Sequence, residues 1–163
     1  MTEKLESIVI SHCMDADFGK LELVETRTKA AASGGPWEPV VYRSWAGDLP
    51  GIGAKISIDM EDDPSAVSEE IRIWFRRIMA DLDAFKRMVA ASELKLAREW
   101  AGSGDSDISL DEDSFSKSLK VKEFSIDPKR LTVWLEEDAC IFAGHSIEVR
   151  IENGKIAEIC LAG

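Results

Sequence analysis

No apolar run in this sequence approaches the ~20 residues that a membrane-spanning helix needs. The opening residues, MTEKLES, also lack the apolar stretch of a secretory signal, because Glu3, Lys4 and Glu6 interrupt it. Both absences point to a cytoplasmic protein with no membrane association. Cysteine is scarce. Cys13, Cys140 and Cys160 are odd in number and show no C-x-x-C spacing, which argues against a disulfide framework and suits a reducing compartment. Histidine is scarcer still, with only His12 and His145. A metal centre would have to draw on His12, Cys13, Cys140 and His145, and an adjacent His-Cys pair is poor geometry for one ion. No metal and no cofactor is therefore expected.

Clustered basic residues are missing as well. The net charge is −11, and it is unevenly spread. Residues 1–63 carry 12 acids and 6 bases, residues 64–101 carry 6 and 7, and residues 102–163 carry 13 and 7. Binding to phosphate backbones needs grouped Lys and Arg, so no nucleic acid is expected as a ligand. An acidic surface suits a basic protein partner, although net charge serves solubility first.

Neither glycine nor a further proline occurs between Pro64 and Gly102, and this segment reads as helix. Asp63-Pro64 is a start signal. Ile71, Phe75, Ile78, Leu82, Phe85 and Val89 recur at helical steps and mark one apolar stripe. The length suggests two helices with a break near Ala80–Asp83, a single long helix being the alternative. Ser109 and Glu112 have capping-box spacing ahead of a short helix, about Leu110 to Leu119.

Both ends of the chain read as strands. KLELVE, PVVYRSW and KISIDM precede the helices, and VKEFSI, RLTVWLEE and a closing hairpin follow them. In KISIDM, Ile56, Ile58 and Met60 share one side while Lys55, Ser57 and Asp59 share the other. SGGP (Ser33 to Pro36) and GDLPGIG (Gly47 to Gly53) read as turns. With 45% hydrophobic and 31% charged residues in 163, the expectation is one soluble domain spanning 1–163. Its expected class is α+β: an antiparallel sheet built from the N- and C-terminal strands, with the central helices packed on one face.

The closing hairpin bears on His145. Ile147, Val149 and Ile151 form one apolar set, and Ala157, Ile159 and Leu161 form the other. A two-residue Asn153-Gly154 turn with regular strands would put Val149 opposite Glu158. A three-residue loop, Glu152 to Gly154, would put it opposite Ala157 and bring both sets to one side. The longer loop, with Gly154 left-handed, is therefore expected. His145 has the parity of Ile147 and should face the core, roughly opposite Leu161.

The run Gly144-His145-Ser146-Ile147, with the hairpin and the terminal Ala162-Gly163, resembles a bacterial family of unknown function, DUF2262. The resemblance extends through EDACIFAGHSI and LDEDSFSKSL to the helix end at Trp100, and more weakly to FGKLEL and KISIDM. In that family an aromatic often precedes Gly-His, where this chain has Ala143. The resemblance implies a bacterial cytosolic protein and a β-α-β order, and it carries over no catalytic residue.

Other chemistry leaves weaker traces. GDLPGIG has no following helix with Lys-Ser/Thr, so it is no phosphate loop. The acidic runs Asp59–Asp63 and Asp105–Asp113 lack EF-hand spacing and sit at helix starts, where negative charge is favoured. Cys160 has the wrong parity to meet His145, whereas Cys140 stays open as a thiol candidate. Trp134 has the opposite parity from Val133 and Leu135 and reads as a surface contact. The candidate pocket or interaction residues are thus His145, Gly144, Ser146 and Trp134. The leading expectation is a non-catalytic protein-interaction module, immunity-type or regulatory, with an acidic surface. The alternative is a small-molecule-binding protein or enzyme with its pocket at His145, and a homo-oligomeric domain is a third reading.

Overall fold

The computed structural model describes residues 6–31, 37–60, 63–102 and 110–163. Four strands come first: β1 (Glu6–Asp15), β2 (Gly19–Ala31), β3 (Trp37–Leu49) and β4 (Ala54–Ile58). Three helices follow: α1 (Glu69–Ala80), α2 (Leu82–Gly102) and α3 (Glu112–Ser118). Four more strands close the chain: β5 (Leu119–Asp127), β6 (Arg130–Glu137), β7 (Ser146–Glu152) and β8 (Lys155–Ala162). All eight strands join one sheet in the order of the sequence.

This corrects the expected α+β class. Strand outweighs helix, 48% against 31%, and the sheet is mixed rather than antiparallel because β4 pairs parallel with β5. The cause is connectivity. A tight turn reverses the chain, whereas a long crossover returns it in the same direction, and α1–α3 form such a crossover between β4 and β5. Strand β1 adds to the sheet beyond the predicted elements.

Helix boundaries follow local chemistry. Asp63 caps a single 3-10 turn, Pro64–Ala66, by accepting from the Ser65 N–H at 2.8 Å. The α-helix begins only after Ser68, whose hydroxyl accepts from the Ile71 N–H at 3.4 Å. Asp81, extended at φ −144°, separates α1 from α2, so the expected two helices are present and the single long helix is not. Asp111 caps α3 by accepting from the Ser114 N–H at 2.7 Å. Ser109, expected in a capping box, and the Ser33–Pro36 turn lie outside the described residues. No described helix is long and apolar enough to cross a membrane.

The core takes one face of the strands and the apolar stripe of the helices. Ile58, Phe124, Leu131, Val133, Leu135, Ile147 and Val149 are sealed from solvent together with Phe75, Ile78 and Val89. Phe75 on α1 stands edge-on to both Phe18 and Phe124, at ring separations of 5.0 and 5.1 Å, an arrangement aromatic quadrupoles favour.

The closing hairpin differs from the predicted register. Glu152 pairs with Lys155 across a two-residue turn, and Asn153 and Gly154 both have positive φ, 50° and 68°. That is a primed turn, which needs the left-handed region twice. The parity conflict is resolved by a bulge instead of a longer loop. The register shifts after Arg150/Ile151, so that Ile151 meets Ile156, Val149 meets Ile159 and Ile147 meets Leu161. Asn153→Ala and Gly154→Ala should then destabilise by similar amounts, about 1 kcal/mol each. Urea midpoints of the two variants check this, and a loss confined to Gly154 would contradict the primed turn.

Candidate functional site

His145 lies in the loop between β6 and β7, and that loop is held from within. Phe142 is fully buried, 5.7 Å from the Trp100 ring and 6.0 Å from Phe115. Its N–H donates to Glu137 Oε1 at 3.0 Å, and the His145 N–H donates to the Phe142 carbonyl at 2.9 Å. Cys140, Ala143 and Gly144 all take positive φ to make the path. The His145 imidazole stands edge-on to Trp100 at 5.5 Å. Its other neighbour is Gly163, which lies so close that any side chain there would strike the ring. The aromatic of this loop is thus Phe142, one residue before Ala143, and it packs on the same Trp100 that flanks His145. Ser146 opens β7 opposite Ala162. Gly144 is exposed with open space beside it, His145 and Ser146 are half-buried, and Trp134 does not join them.

Trp134 points to the opposite, outer face of the sheet. Register aligns Asp48, Lys55, Glu123, Trp134, Glu148 and Cys160 in one row across β3–β8. Glu148 is buried, and Arg150 holds it through bonds of 2.6 and 3.2 Å while also reaching Glu158 at 2.6 Å. Glu123 accepts the Ser57 hydroxyl at 2.8 Å. Among the described residues, neither Glu123 nor Asp48 has a cation within ion-pair distance. A hollow of about 480 Å³ opens beside this row, lined by Lys20, Glu22, Asp48, Lys55, Ser57 and Glu123. Ala46 and Gly47 also line it. Gly47 is required there: a Cβ would sit 2.6 Å from the Lys20 carbonyl oxygen and 2.9 Å from the Leu21 side chain. The arrangement can accept a cationic group, with a flat indole beside a carboxylate that holds a hydroxyl and no cation among the described residues.

A second charged cluster is saturated. Arg72 donates from Nε to the Val67 carbonyl, from Nη1 to Asp15 and Asp17, and from Nη2 to Asp15 and the Pro64 carbonyl, at 2.7–3.2 Å. These five bonds use every guanidinium donor, and the group also lies 4.7 Å over the Phe18 ring. The Arg72 hydrogen bond is the main force holding the Asp15 carboxyl down at about 2. With no donor left over, this cluster ties the β1–β2 turn to α1.

The thiols are spread across the fold. Burial first, then nearby carboxylates, push the Cys13 and Cys160 thiols up, which disfavours the nucleophilic thiolate. Cys140 is exposed. Among the described residues, no three His, Cys, Asp or Glu side chains are grouped to hold a metal ion.

Sequence parity identified Trp134 and the outward Lys55 and Ser57. It missed Asp48 and Glu123, because only the β3–β4–β5 register brings them together. A family model described as an uncharacterised protein conserved in bacteria, DUF2262, matches residues 42–159. No curated protein and no solved structure matches the chain.

Proposed function

The chain belongs to the bacterial DUF2262 family, and from the outer face of its sheet we propose a non-catalytic interaction module, immunity-type or regulatory, that receives a basic segment of a partner protein in the cytoplasm. The observation that carries this reading is Trp134, set directly across the strand pair from Glu123, whose carboxylate takes a hydroxyl and no cation among the described residues. A partner arginine laid on the indole could reach that carboxylate, combining cation–π attraction with a charge-assisted hydrogen bond. The hollow beyond Glu123 offers room for neighbouring side chains. The alternative, a small-molecule site at His145, has less support, since its ring is wedged between Trp100 and Gly163.

The test is comparative capture from a host lysate. Proteins retained by the wild type should be lost from both Trp134→Ala and Glu123→Gln. Affinity for the identified partner should fall about tenfold in each, and further as salt rises. Retention of the same proteins by both variants would overturn the reading.

A further inference from the structure

Strand β5 starts before its parallel partner does. The β4–β5 ladder begins at Lys55 and Glu123, so Leu119 to Lys122 run on past β4. The β3–β4 turn and the start of α2 border the gap, which holds a hollow of about 310 Å³. Lys86, Lys120 and Lys122 line it beside the apolar Ile52, Leu82 and Val121, and among the described residues no carboxylate is in the lining. We propose that this hollow binds a small phosphate monoester, with the three lysines holding the phosphate and the apolar wall taking the organic part.

These lysines are loosely engaged. Among the described residues each has one ion-pair contact: Lys86 with Asp83 at 3.6 Å, Lys120 with Asp138 at 3.2 Å and Lys122 with Glu136 at 3.5 Å. A charge-assisted hydrogen bond is shorter, about 2.7–2.9 Å. The three carboxylates are 52–77% exposed, and exposed pairs of this kind contribute little, so an anion can take the lysines over. The Arg72 cluster offers the contrast, with every donor already used. Lys86 matters most, because its side chain is only 18% exposed and a partly buried charge gains more from an ionic ligand than an exposed one does.

Residue type and size define the ligand. Lysine is a compact charge with three rotatable donors, whereas the planar fork of arginine matches a carboxylate. Three lysines and no arginine suit a dianion with oxygens on several sides. The volume is near the lower limit of small-molecule sites, with room for one monoester. Asp83, Glu136 and Asp138 beside the lysines repel an extended phosphate backbone. The net charge of −11 opposes any anion at long range, but at physiological salt charges beyond about 8 Å are largely screened, and the adjacent lysines decide. Lys86 is remote from the other two in sequence, so only the fold collects the three.

Amide chemical-shift titration of the full chain at physiological salt tests this, with phenyl phosphate as the probe and benzoate as its carboxylate counterpart. Phenyl phosphate should shift Gly53, Lys86 and Leu119 to Lys122, with a Kd of roughly 0.1–1 mM, within what so few atoms can supply. Benzoate should bind about tenfold more weakly. Lys86→Met should weaken phenyl phosphate about tenfold and Lys122→Gln about threefold; the exposed Lys122 decides the matter if Lys86→Met misfolds. Lys117→Gln, an exposed lysine of α3 outside the lining, should bind as wild type does. Trp134→Ala should too, so failure of this reading is distinct from failure of capture through Trp134. No shifts up to roughly 10 mM, shifts centred elsewhere, benzoate binding as tightly, affinity untouched in both lining variants, or affinity lost through Lys117→Gln would each overturn the proposal.

Discussion

Replacing Arg72 with methionine should destabilise the fold by about 3–5 kcal/mol, because it leaves the buried Asp15 carboxylate without a cation and takes from Asp17 one of its two arginine partners, the other being Arg76. Asp15 and Asp17 have side chains only 8% and 10% exposed. Without the guanidinium Asp15 must be ionised and unpaired, or take up a proton, while Asp17 keeps Arg76. Replacing Arg72 and Asp15 together by apolar residues would cost less than removing Arg72 alone. Acid sensitivity should change in parallel. The Asp15 carboxyl is held at about 2, below its ordinary 3.8. A depressed folded-state value contributes stability above the ordinary value, and that contribution is lost as pH falls through the folded one. Wild-type stability should therefore fall between pH about 4 and about 2, and the Arg72→Met variant should have a shallower decline over the same window. Denaturant titrations at a series of pH values measure both. A variant within 1 kcal/mol of wild type at neutral pH would show that the cluster is not a clamp.

Phe142→Ala should be comparably severe, about 3–5 kcal/mol, from the lost apolar burial and the cavity left behind. Phe142 joins Trp100 and Phe115 and anchors a loop whose backbone is left-handed at Cys140, Ala143 and Gly144. His145→Ala removes only a partly buried ring edge-on to Trp100 and should cost about 1 kcal/mol. Urea unfolding of the two variants gives the comparison. If His145→Ala proved the worse of the two, the histidine and not the phenylalanine would be the anchor of the loop.

The helical segment was readable because its signals are local. The Ile71–Val89 stripe and the break beside Asp81 each act within a few residues. Strand β1 was harder. Ile8-Val9-Ile10 gives no alternation, and a continuous apolar triplet does not announce a strand. The hairpin misled for a related reason: Ile159 and Leu161 were read onto the core side correctly, but a bulge at Ala157 puts Ile156 there in its place and sets Leu161 opposite Ile147 instead of His145. The mixed sheet was out of reach because the Lys55–Glu123 pairing joins residues on opposite sides of the helices. The candidate site was half visible for the same reason, with Trp134 marked by parity and Glu123 placed beside the hollow only by that pairing.

The parallel junction has a consequence for how the chain reaches this state. The β1–β2 and β7–β8 ladders close across tight turns and can zip early. Strand β4 ends at Ile58 and β5 begins at Leu119, so their ladder closes a loop that contains all three helices. Loop closure of that length is entropically unfavourable until burial compensates for it. Phe75 touches Phe18 from the first half of the sheet and Phe124 from the second. The topology predicts that the slow event in folding is the meeting of the two half-sheets around α1, with sequence changes in that helix altering the folding rate and changes in the hairpins altering mainly the unfolding rate.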